Sequence, residues 1–267
     1  MKDSLEIAIQ ASLKAGKAIM EVYNSVIEVE YKDDKSPLTA ADQKSNDIIN
    51  KFLKDTAYPI ISEENKQISY AVRKSWQTCW IVDPVDGTKE FIKRNGEFTV
   101  NIALVRDGKP AYGVIYVPAT KTLFYANVYQ KEAFKAIVDS HDATLSDVLA
   151  ASKPLQPKQN KTNLIEVVGS RSHMNQATLD YIATLKNKGK TVEVVSKGSS
   201  LKFCLVAEGL ADIYPRFAPT MEWDTAAGQA ICEAVGVTVI NQDTKTPLLY
   251  NKENLLNPWF MVSSYER

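Results

Sequence analysis

Acidic residues occur at three points where the predicted secondary structure changes. Ser62-Glu63-Glu64 and Asp83-Pro-Val-Asp86-Gly87-Thr88 each follow a predicted strand, and Trp223-Asp224 comes directly before a predicted helix. Strand ends and helix starts can face one cleft, so these carboxylates can converge. Two like charges about 4 Å apart repel by roughly 4 kcal/mol at an effective dielectric of about 20, so converging ionised carboxylates need a counter-charge.

Divalent cations can supply this counter-charge. A ligand set made only of oxygen atoms selects a hard ion such as Mg²⁺ over zinc or copper. Two such ions roughly 3.5 to 4 Å apart can activate a water molecule and stabilise a leaving oxygen. The acidic pattern therefore predicts metal-assisted hydrolysis of a phosphate ester.

The segment Asp83–Thr88 has the residue types that a metal and a phosphate need side by side. Proline fixes φ and has no amide hydrogen, which favours a tight turn where the carboxylates of Asp83 and Asp86 converge and the Val85 carbonyl faces inward. Gly87 permits a close approach of the backbone, and the amides around Gly87 and Thr88 can bind a phosphate oxygen as at a helix N-terminus.

Each acid also has a purely structural interpretation. Glu63 and Glu64 can be solvated loop charges, and Asp224 can cap the helix that follows it. Thr39-x-x-Asp42 approximates a capping box, so the residues alone favour a structural role for Asp42. The residues by themselves leave these alternatives open.

Composition argues against several other functions. The 32 basic and 32 acidic residues cancel, so no overall basic field points to nucleic acid. There are only two histidines, His141 and His173, with no Gly-x-Ser-x-Gly motif and no zinc spacing, so a Ser-His-Asp or zinc mechanism has little support. Three widely spaced cysteines suit a reducing cytosol, and Cys204 and Cys232 are interpreted as buried small side chains.

The sequence also predicts where the protein resides. Charges interrupt the first residues before a hydrophobic run develops, and no segment approaches the roughly 20 apolar residues of a membrane span. We therefore expect a cytoplasmic protein without an integral membrane segment. Peripheral attachment to the cytoplasmic face of the inner membrane and the oligomeric state stay open.

Periodicity predicts an α+β first lobe, residues 1–152, and an α/β second lobe, residues 153–267, with the polar stretch 151–162 as the boundary. Asp107-Gly108 predicts a hairpin turn. The predicted elements of the first lobe are helices at 4–24 and from Thr39 to about 53, then strands at 59–62, 78–82, 98–106, 111–117 and 122–126. In the second lobe they are strands at 164–168 and 191–195 flanking a helix, a helix from 200, a strand at 211–214, a helix from 225 and a strand at 237–240.

Three motifs occur here in a fixed order: an acidic pair, then Asp-Pro-hydrophobic-Asp-Gly-Thr, then a distal Trp-Asp. Together they resemble the signature of the inositol monophosphatase superfamily. The stretches 83–102 and 198–209 resemble its bacterial 3'(2'),5'-bisphosphate nucleotidase branch. This resemblance spans essentially the whole chain. It implies the layered α-β-α-β-α sandwich of the sugar phosphatases, binding of two or three Mg²⁺ ions, and inhibition by lithium.

The resemblance also implies roles for individual residues. An acid at the Asp42 position and a threonine at the Thr88 position would polarise the attacking water. The implied metal ligands are Glu63, Asp83, the Val85 carbonyl, Asp86 and Asp224. The implied substrate contacts are Gly87, Thr88, His173, Ser199, Lys202, Arg216 and Asp224.

The implied activity is removal of the 3'-phosphate of adenosine 3',5'-bisphosphate, a small-molecule nucleotide of sulfur assimilation, to give AMP. Ser199 and Lys202 at a helix start and Arg216 after a strand are candidates for binding the second phosphate. As isolated residues, Lys202 and Arg216 would more often be surface charges, and His173 a polar cap. Alternative functions are hydrolysis of inositol monophosphate or a sugar bisphosphate, and nucleotide sensing without catalysis.

Overall fold

The computed structural model describes residues 4–25, 29–31, 37–159, 163–169 and 174–265. Two helices form its first layer, α1 (Ser4–Tyr23) and α2 (Ala40–Leu53). Each helix has apolar side chains at helical spacing, and the resulting stripes, with Ile9, Ile19 and Ile49 fully buried, pack on each other and on a sheet. A two-stranded ribbon, β1 (Val29–Tyr31) and β2 (Pro37–Thr39), leads directly into α2.

The second layer is a seven-stranded sheet in which the strands follow chain order. Its first two strands are parallel and all later neighbours are antiparallel. Asp107 and Gly108 both have positive φ, as the predicted hairpin turn requires. The strands are β3 (Ile60–Ser62), β4 (Thr78–Asp86), β5 (Thr99–Arg106), β6 (Lys109–Val117), β7 (Thr122–Asn127), β8 (Glu132–Ile137) and β9 (Lys153–Pro154).

Short helices lie in the connections of this sheet, namely α3 (Tyr70–Arg73), α4 (Thr88–Ile92) and α5 (Leu145–Ala151). The third layer is formed by α7 (Leu201–Ala207) and α8 (Ala226–Ala234). A Cβ at Gly113 of β6 would lie 2.5 Å from the Ala227 carbonyl oxygen, so the glycine allows α8 to pack closely on the first sheet. The buried cluster of this layer joins residues from both halves of the chain, including Ile115, Phe203 and Phe260.

The fourth layer is a five-stranded sheet with the order β11-β10-β12-β14-β13. The fifth layer is α6 (Gln176–Asn187), whose Ile182 and Leu185 pack with Ile165, Val167 and Ile213 of the sheet. These five layers confirm the expected α-β-α-β-α sandwich. The strands are β10 (Leu164–Gly169), β11 (Thr191–Ser196), β12 (Ile213–Arg216), β13 (Thr238–Asn241) and β14 (Phe260–Ser263).

Some elements differ from the sequence-based expectation. The strand expected at 211–214 is at Ile213–Arg216, because these residues pair with β14, from Ile213 opposite Ser263 to Arg216 opposite Phe260. No expectation covered β8, α5, β9 or β14, whose patterns are short or mix charged with apolar residues. The division into lobes at residue 152 stays a prediction. No helix in the described ranges is both long and apolar enough to cross a membrane.

Candidate metal and phosphate site

A bulge at the end of β4 brings Asp83 and Asp86 to the same side of the sheet. In a regular strand, residues three apart point to opposite faces. Here Asp83 pairs with Asn101 and Asp86 pairs with Thr99, so β4 has one more residue than β5 between the two pairs. The extra residue restores a common direction, and the Val85 amide donates to Asp83 Oδ1 at 3.0 Å. The expected tight turn is therefore a bulged strand end.

A third carboxylate reaches this strand end from the other half of the chain. Asp224 ends a 3₁₀ turn, Glu222–Asp224, and its Oδ2 accepts a hydrogen bond from the Met221 amide at 2.8 Å. Carboxylate oxygens of Asp83, Asp86 and Asp224 all lie within 4.8 Å of one another. The structure thus brings together three of the five predicted metal ligands through their side chains.

Two carboxylates of this cluster, those of Asp83 and Asp224, resist ionisation. Burial raises the pKa of Asp83 well above its usual range, and the charges of Glu63 and Asp86 raise it further. Burial and the charge of Asp86 raise the pKa of Asp224 to about 7. A divalent cation among oxygen atoms would remove this penalty, so the donor set fits a hard metal ion such as Mg²⁺.

Glu63 lies close to the cluster but outside the 4.8 Å group. It follows β3 directly, and its amide donates to the Val82 carbonyl at 3.2 Å, which holds it beside β4. After burial, its charge has the largest effect on the pKa of Asp83. Its role as a metal ligand, like that of the Val85 carbonyl, stays a prediction.

Asp42 has the expected helix-capping role and also contacts a predicted catalytic residue. Its Oδ2 accepts hydrogen bonds from the Thr39 amide at 2.8 Å and the Thr39 hydroxyl at 2.7 Å, which completes a capping box. Its Oδ1 lies 3.3 Å from the Thr88 hydroxyl, which is also 3.2 Å from the Val85 carbonyl. The side chain is only 3 % exposed. The fold therefore brings Asp42 and Thr88 together, and the charge of Asp42 acts on Asp83 of the acidic cluster.

Gly87 connects the bulge to the first turn of α4. Its φ of 91° lies in the left-handed region, and a Cβ there would be 3.1 Å from the Glu97 carbonyl oxygen and 3.3 Å from Ser199 Cβ. Glycine meets both demands without strain. Thr88 is the first residue of α4, so the amides proposed to bind a phosphate oxygen lie at the start of a short helix.

A loop from the second half of the chain binds the Asp86 carboxylate. Asp86 Oδ2 accepts bonds from the Ser199 hydroxyl at 2.7 Å, the Ser200 amide at 2.6 Å and the Ser200 hydroxyl at 2.7 Å. The Asn101 amide nitrogen lies 3.4 Å from the same oxygen. Sequence analysis did not single out Ser200 or Asn101, although both lie in the stretches that carry the family resemblance.

A cleft of about 550 Å³ extends from Asp86 and Asp224 to Lys202 and Arg216. The Lys202 ammonium donates to the Ser199 carbonyl at 2.7 Å, and burial, together with the charge of Arg216, lowers its pKa. Arg216 donates to the Pro219 carbonyl at 3.0 Å, and its buried Nε has no hydrogen-bond partner. We call the part of the cleft at Asp86 and Asp224 its acidic end and the part at Lys202 and Arg216 its basic end. The rest of the lining includes further charged residues of both signs, Lys89, Glu90, Lys93, Glu97 and Lys197. The predicted contact His173 lies outside the described residues.

The layered fold and the acidic site define a known class of protein. The model of the inositol monophosphatase family matches residues 1–260, and the chain belongs to this family. The family is metal-dependent, in agreement with the acidic cluster.

Several relatives match nearly the whole chain. The 3'(2'),5'-bisphosphate nucleotidase CysQ of Salmonella typhimurium is 43 % identical over 265 residues, which cover 98 % of this chain and all of that protein. The crystal structure of CysQ from Bacteroides thetaiotaomicron is 50 % identical, covers 98 % of this chain and 97 % of its own, and has a TM-score of 0.86. An inositol monophosphatase of Thermotoga maritima, at 21 % identity and a TM-score of 0.73, shares the fold.

Proposed function

We propose that this protein is a Mg²⁺-dependent 3'(2'),5'-bisphosphate nucleotidase that removes the 3'-phosphate of adenosine 3',5'-bisphosphate to give AMP and phosphate. The observation that carries the proposal is a cleft lined by Asp86 and Asp224 together with Lys202 and Arg216. The carboxylates of Asp86 and Asp224 form a cluster with the buried Asp83, with oxygens within 4.8 Å of one another. A substrate with two phosphates needs both ends of such a cleft. The full-length similarity to CysQ nucleotidases supports this substrate class.

In this proposal the acidic end of the cleft holds the reacting phosphate. Glu63, Asp83, Asp86, Asp224 and the Val85 carbonyl would bind two or three Mg²⁺ ions. Bound Mg²⁺ would neutralise charge on the phosphate and on the leaving oxygen. The amides at the start of α4, around Gly87 and Thr88, would bind a phosphate oxygen.

Asp42 and Thr88 would orient the attacking water. The Thr88 hydroxyl has one proton, and it lies within 3.3 Å of both Asp42 Oδ1 and the Val85 carbonyl oxygen. When the hydroxyl donates to Asp42, its oxygen lone pairs can accept a hydrogen from water. As the attacking water gives its proton to the Thr88 oxygen, the Thr88 hydroxyl would pass its own proton to Asp42, which becomes neutral. Its capping bonds from Thr39 keep the carboxylate in this orientation.

The basic end of the cleft would hold the 5'-phosphate. Lys202 and the unpartnered Nε of Arg216 can donate charge-assisted hydrogen bonds to a phosphate. A bound phosphate would also reverse the lowering of the Lys202 pKa that burial causes. Ser199 and His173 complete the proposed contacts, with His173 near the ribose or base.

Phosphate release from a panel of substrates tests the proposal. Adenosine 3',5'-bisphosphate, inositol 1-phosphate and fructose 1,6-bisphosphate are each assayed with Mg²⁺, with EDTA, and with added lithium. We expect the nucleotide to have the highest kcat/KM, with no release in EDTA. A higher kcat/KM for inositol phosphate or the sugar bisphosphate would assign the alternative function, and stoichiometric nucleotide binding without release would indicate a sensor.

The variant Asp83→Asn tests the metal assignment, with Asp47→Asn as its control. Asp83 is 1 % exposed inside the cluster, whereas Asp47 lies on the exposed face of α2. We expect Asp83→Asn to abolish turnover without loss of the fold. Asp47→Asn should retain wild-type turnover. Near-normal Mg²⁺-dependent rates in Asp83→Asn would refute the metal assignment.

A further inference from the structure

We propose that Ser200 is a positioning residue that sets which oxygen of Asp86 faces the metal ion, and that Asn101 and Thr99 orient Ser200. The role lies beyond the ligands and substrate contacts assigned above. It rests on the proposed function in one respect, that a cation binds at Asp86.

Every hydrogen bond to the Asp86 carboxylate from the described residues falls on Oδ2. The Ser200 amide and hydroxyl and the Ser199 hydroxyl lie at 2.6, 2.7 and 2.7 Å from this atom. An oxygen with three close donors has no free lone pair for a cation. The bonds therefore leave the other oxygen, Oδ1, as the one that can face a cation.

Ser200 also links the two segments that supply the carboxylates. Its hydroxyl lies 2.7 Å from Asp86 Oδ2 and 2.9 Å from the main-chain carbonyl of Asp224. One hydroxyl thus joins the end of β4 to the turn before α8, two segments that are far apart in sequence. The spacing between the Asp86 and Asp224 carboxylates depends on this bridge.

The Ser200 hydroxyl has no competing structural task in its own helix. Ser200 precedes α7 at the N-cap position, where a serine side chain usually accepts a bond from a helix amide. Here the side chain makes no capping hydrogen bond, and φ and ψ are helical. The hydroxyl points instead towards Asp86 and is 2 % exposed with the rest of the side chain.

Two buried residues of β5 orient this hydroxyl. Asn101 Nδ2 donates to Ser200 Oγ at 2.8 Å, which directs the serine proton towards Asp86 and the Asp224 carbonyl. Thr99 Oγ1 lies 2.9 Å from Asn101 Oδ1 and 2.6 Å from the Ser199 hydroxyl, so Thr99 contacts both the amide that orients Ser200 and the second hydroxyl that binds Asp86. Asn101 and Thr99 are 1 % and 0 % exposed, so water does not substitute for these partners.

Calorimetric titration of the full chain with MgCl₂, without nucleotide, tests the proposal. Loss of a group that orients a metal ligand typically weakens metal binding by about 10- to 100-fold. We expect Ser200→Ala to raise the Kd for Mg²⁺ by about tenfold or more. In activity assays, higher Mg²⁺ should restore kcat with little change in the substrate KM.

Three variants separate positioning from general stability. Ser12→Ala removes an equally buried hydroxyl, which donates within α1 to the Ile9 carbonyl at 2.8 Å, and should leave Mg²⁺ affinity unchanged. Thr99→Val removes the hydrogen bonds to Asn101 and to Ser199 while keeping the side-chain shape, and should weaken Mg²⁺ binding. Thr99→Ser keeps the hydroxyl and should bind Mg²⁺ with close to wild-type affinity.

The outcomes distinguish this proposal from the proposed function. A Ser200→Ala variant that binds Mg²⁺ with wild-type affinity would overturn the positioning role alone, as would equal affinities of Thr99→Val and Thr99→Ser. If Ser200→Ala weakens Mg²⁺ binding but the wild-type protein does not hydrolyse the nucleotide, the proposed function alone would be overturned. A wild-type protein that binds no Mg²⁺ would overturn both.

Discussion

Replacing Asp224 with asparagine should stabilise the metal-free protein while it abolishes activity. The carboxylate lies among Asp83 and Asp86, and burial with the charge of Asp86 raises its pKa from 3.8 to about 7. Asparagine has nearly the same shape and can still accept the hydrogen bond from the Met221 amide. The substitution therefore removes the unfavourable charge and keeps the local structure.

The size and pH dependence of this effect follow from the pKa. Because the pKa of Asp224 is higher in the folded state, its ionisation lowers the stability of the metal-free fold. This loss of stability grows from about pH 4 to about pH 7 and stays constant above about pH 7. About three pKa units correspond to about 4 kcal/mol. Because part of the side chain faces solvent in the cleft, we expect Asp224→Asn to raise the free energy of unfolding by about 2 to 4 kcal/mol at pH 8. At pH 5 the increase should be less than half of that.

Urea or thermal unfolding in EDTA at pH 5 and pH 8 measures the effect. We expect Asp224→Asn to raise the Tm at pH 8 by roughly 5 to 10 °C, with a smaller rise at pH 5. Mg²⁺ should raise the Tm of the wild type and have little effect on the variant, while Asp47→Asn should behave as the wild type. A variant that is less stable than the wild type in EDTA at pH 8, or a difference independent of pH, would refute this reasoning.

Three further substitutions test other parts of the site. Asp42→Asn should lower kcat by about 100-fold or more, because the amide cannot accept a proton, while the capping bonds from Thr39 persist and the Tm changes little. Lys202→Ala should raise the KM for the nucleotide bisphosphate by roughly 10- to 100-fold, which corresponds to the loss of one charged hydrogen bond. The KM for a simple sugar monophosphate should change little. Gly87→Ala should lower the stability by about 1 to 2 kcal/mol, measured by urea unfolding, because alanine is strained at a φ of 91°.

Each of these predictions has a result that contradicts it. A kcat within a few-fold of wild type in Asp42→Asn would remove Asp42 from the water-orienting role. Equal losses on both substrates for Lys202→Ala would argue against a 5'-phosphate contact, and the exposed Lys186→Ala on α6 serves as its control. Wild-type stability of Gly87→Ala would mean that the left-handed turn tolerates a side chain.

Local patterns were sufficient to predict much of the fold. The stripes of α1 and α2 have helical spacing, and the Asp107-Gly108 turn has the residues its positive φ angles require, so neither depends on distant parts of the chain. The strand near residue 212 was misplaced by two residues because its extent depends on pairing with β14 at residues 260–263. Such a long-range contact leaves no mark in local sequence.

The acidic residues of the site could be named from the sequence, but their geometry could not. The type and order of Asp83, Asp86 and Asp224 indicated a metal site. The bulge that turns Asp83 and Asp86 to one side is visible only in the pairing of β4 with β5. The bonds of Ser200 to Asp86 join residues 114 positions apart, and nothing in the local pattern of a Gly-Ser-Ser loop indicates that partner.

The identity of the reaction product tests the central claim most directly. Purified protein is incubated with adenosine 3',5'-bisphosphate and Mg²⁺, and the products are followed by ³¹P NMR. We predict inorganic phosphate and 5'-AMP, because Lys202 and Arg216 would hold the 5'-phosphate away from the carboxylate cluster. Formation of 3'-AMP, or the same rate of phosphate release in EDTA, would contradict the account.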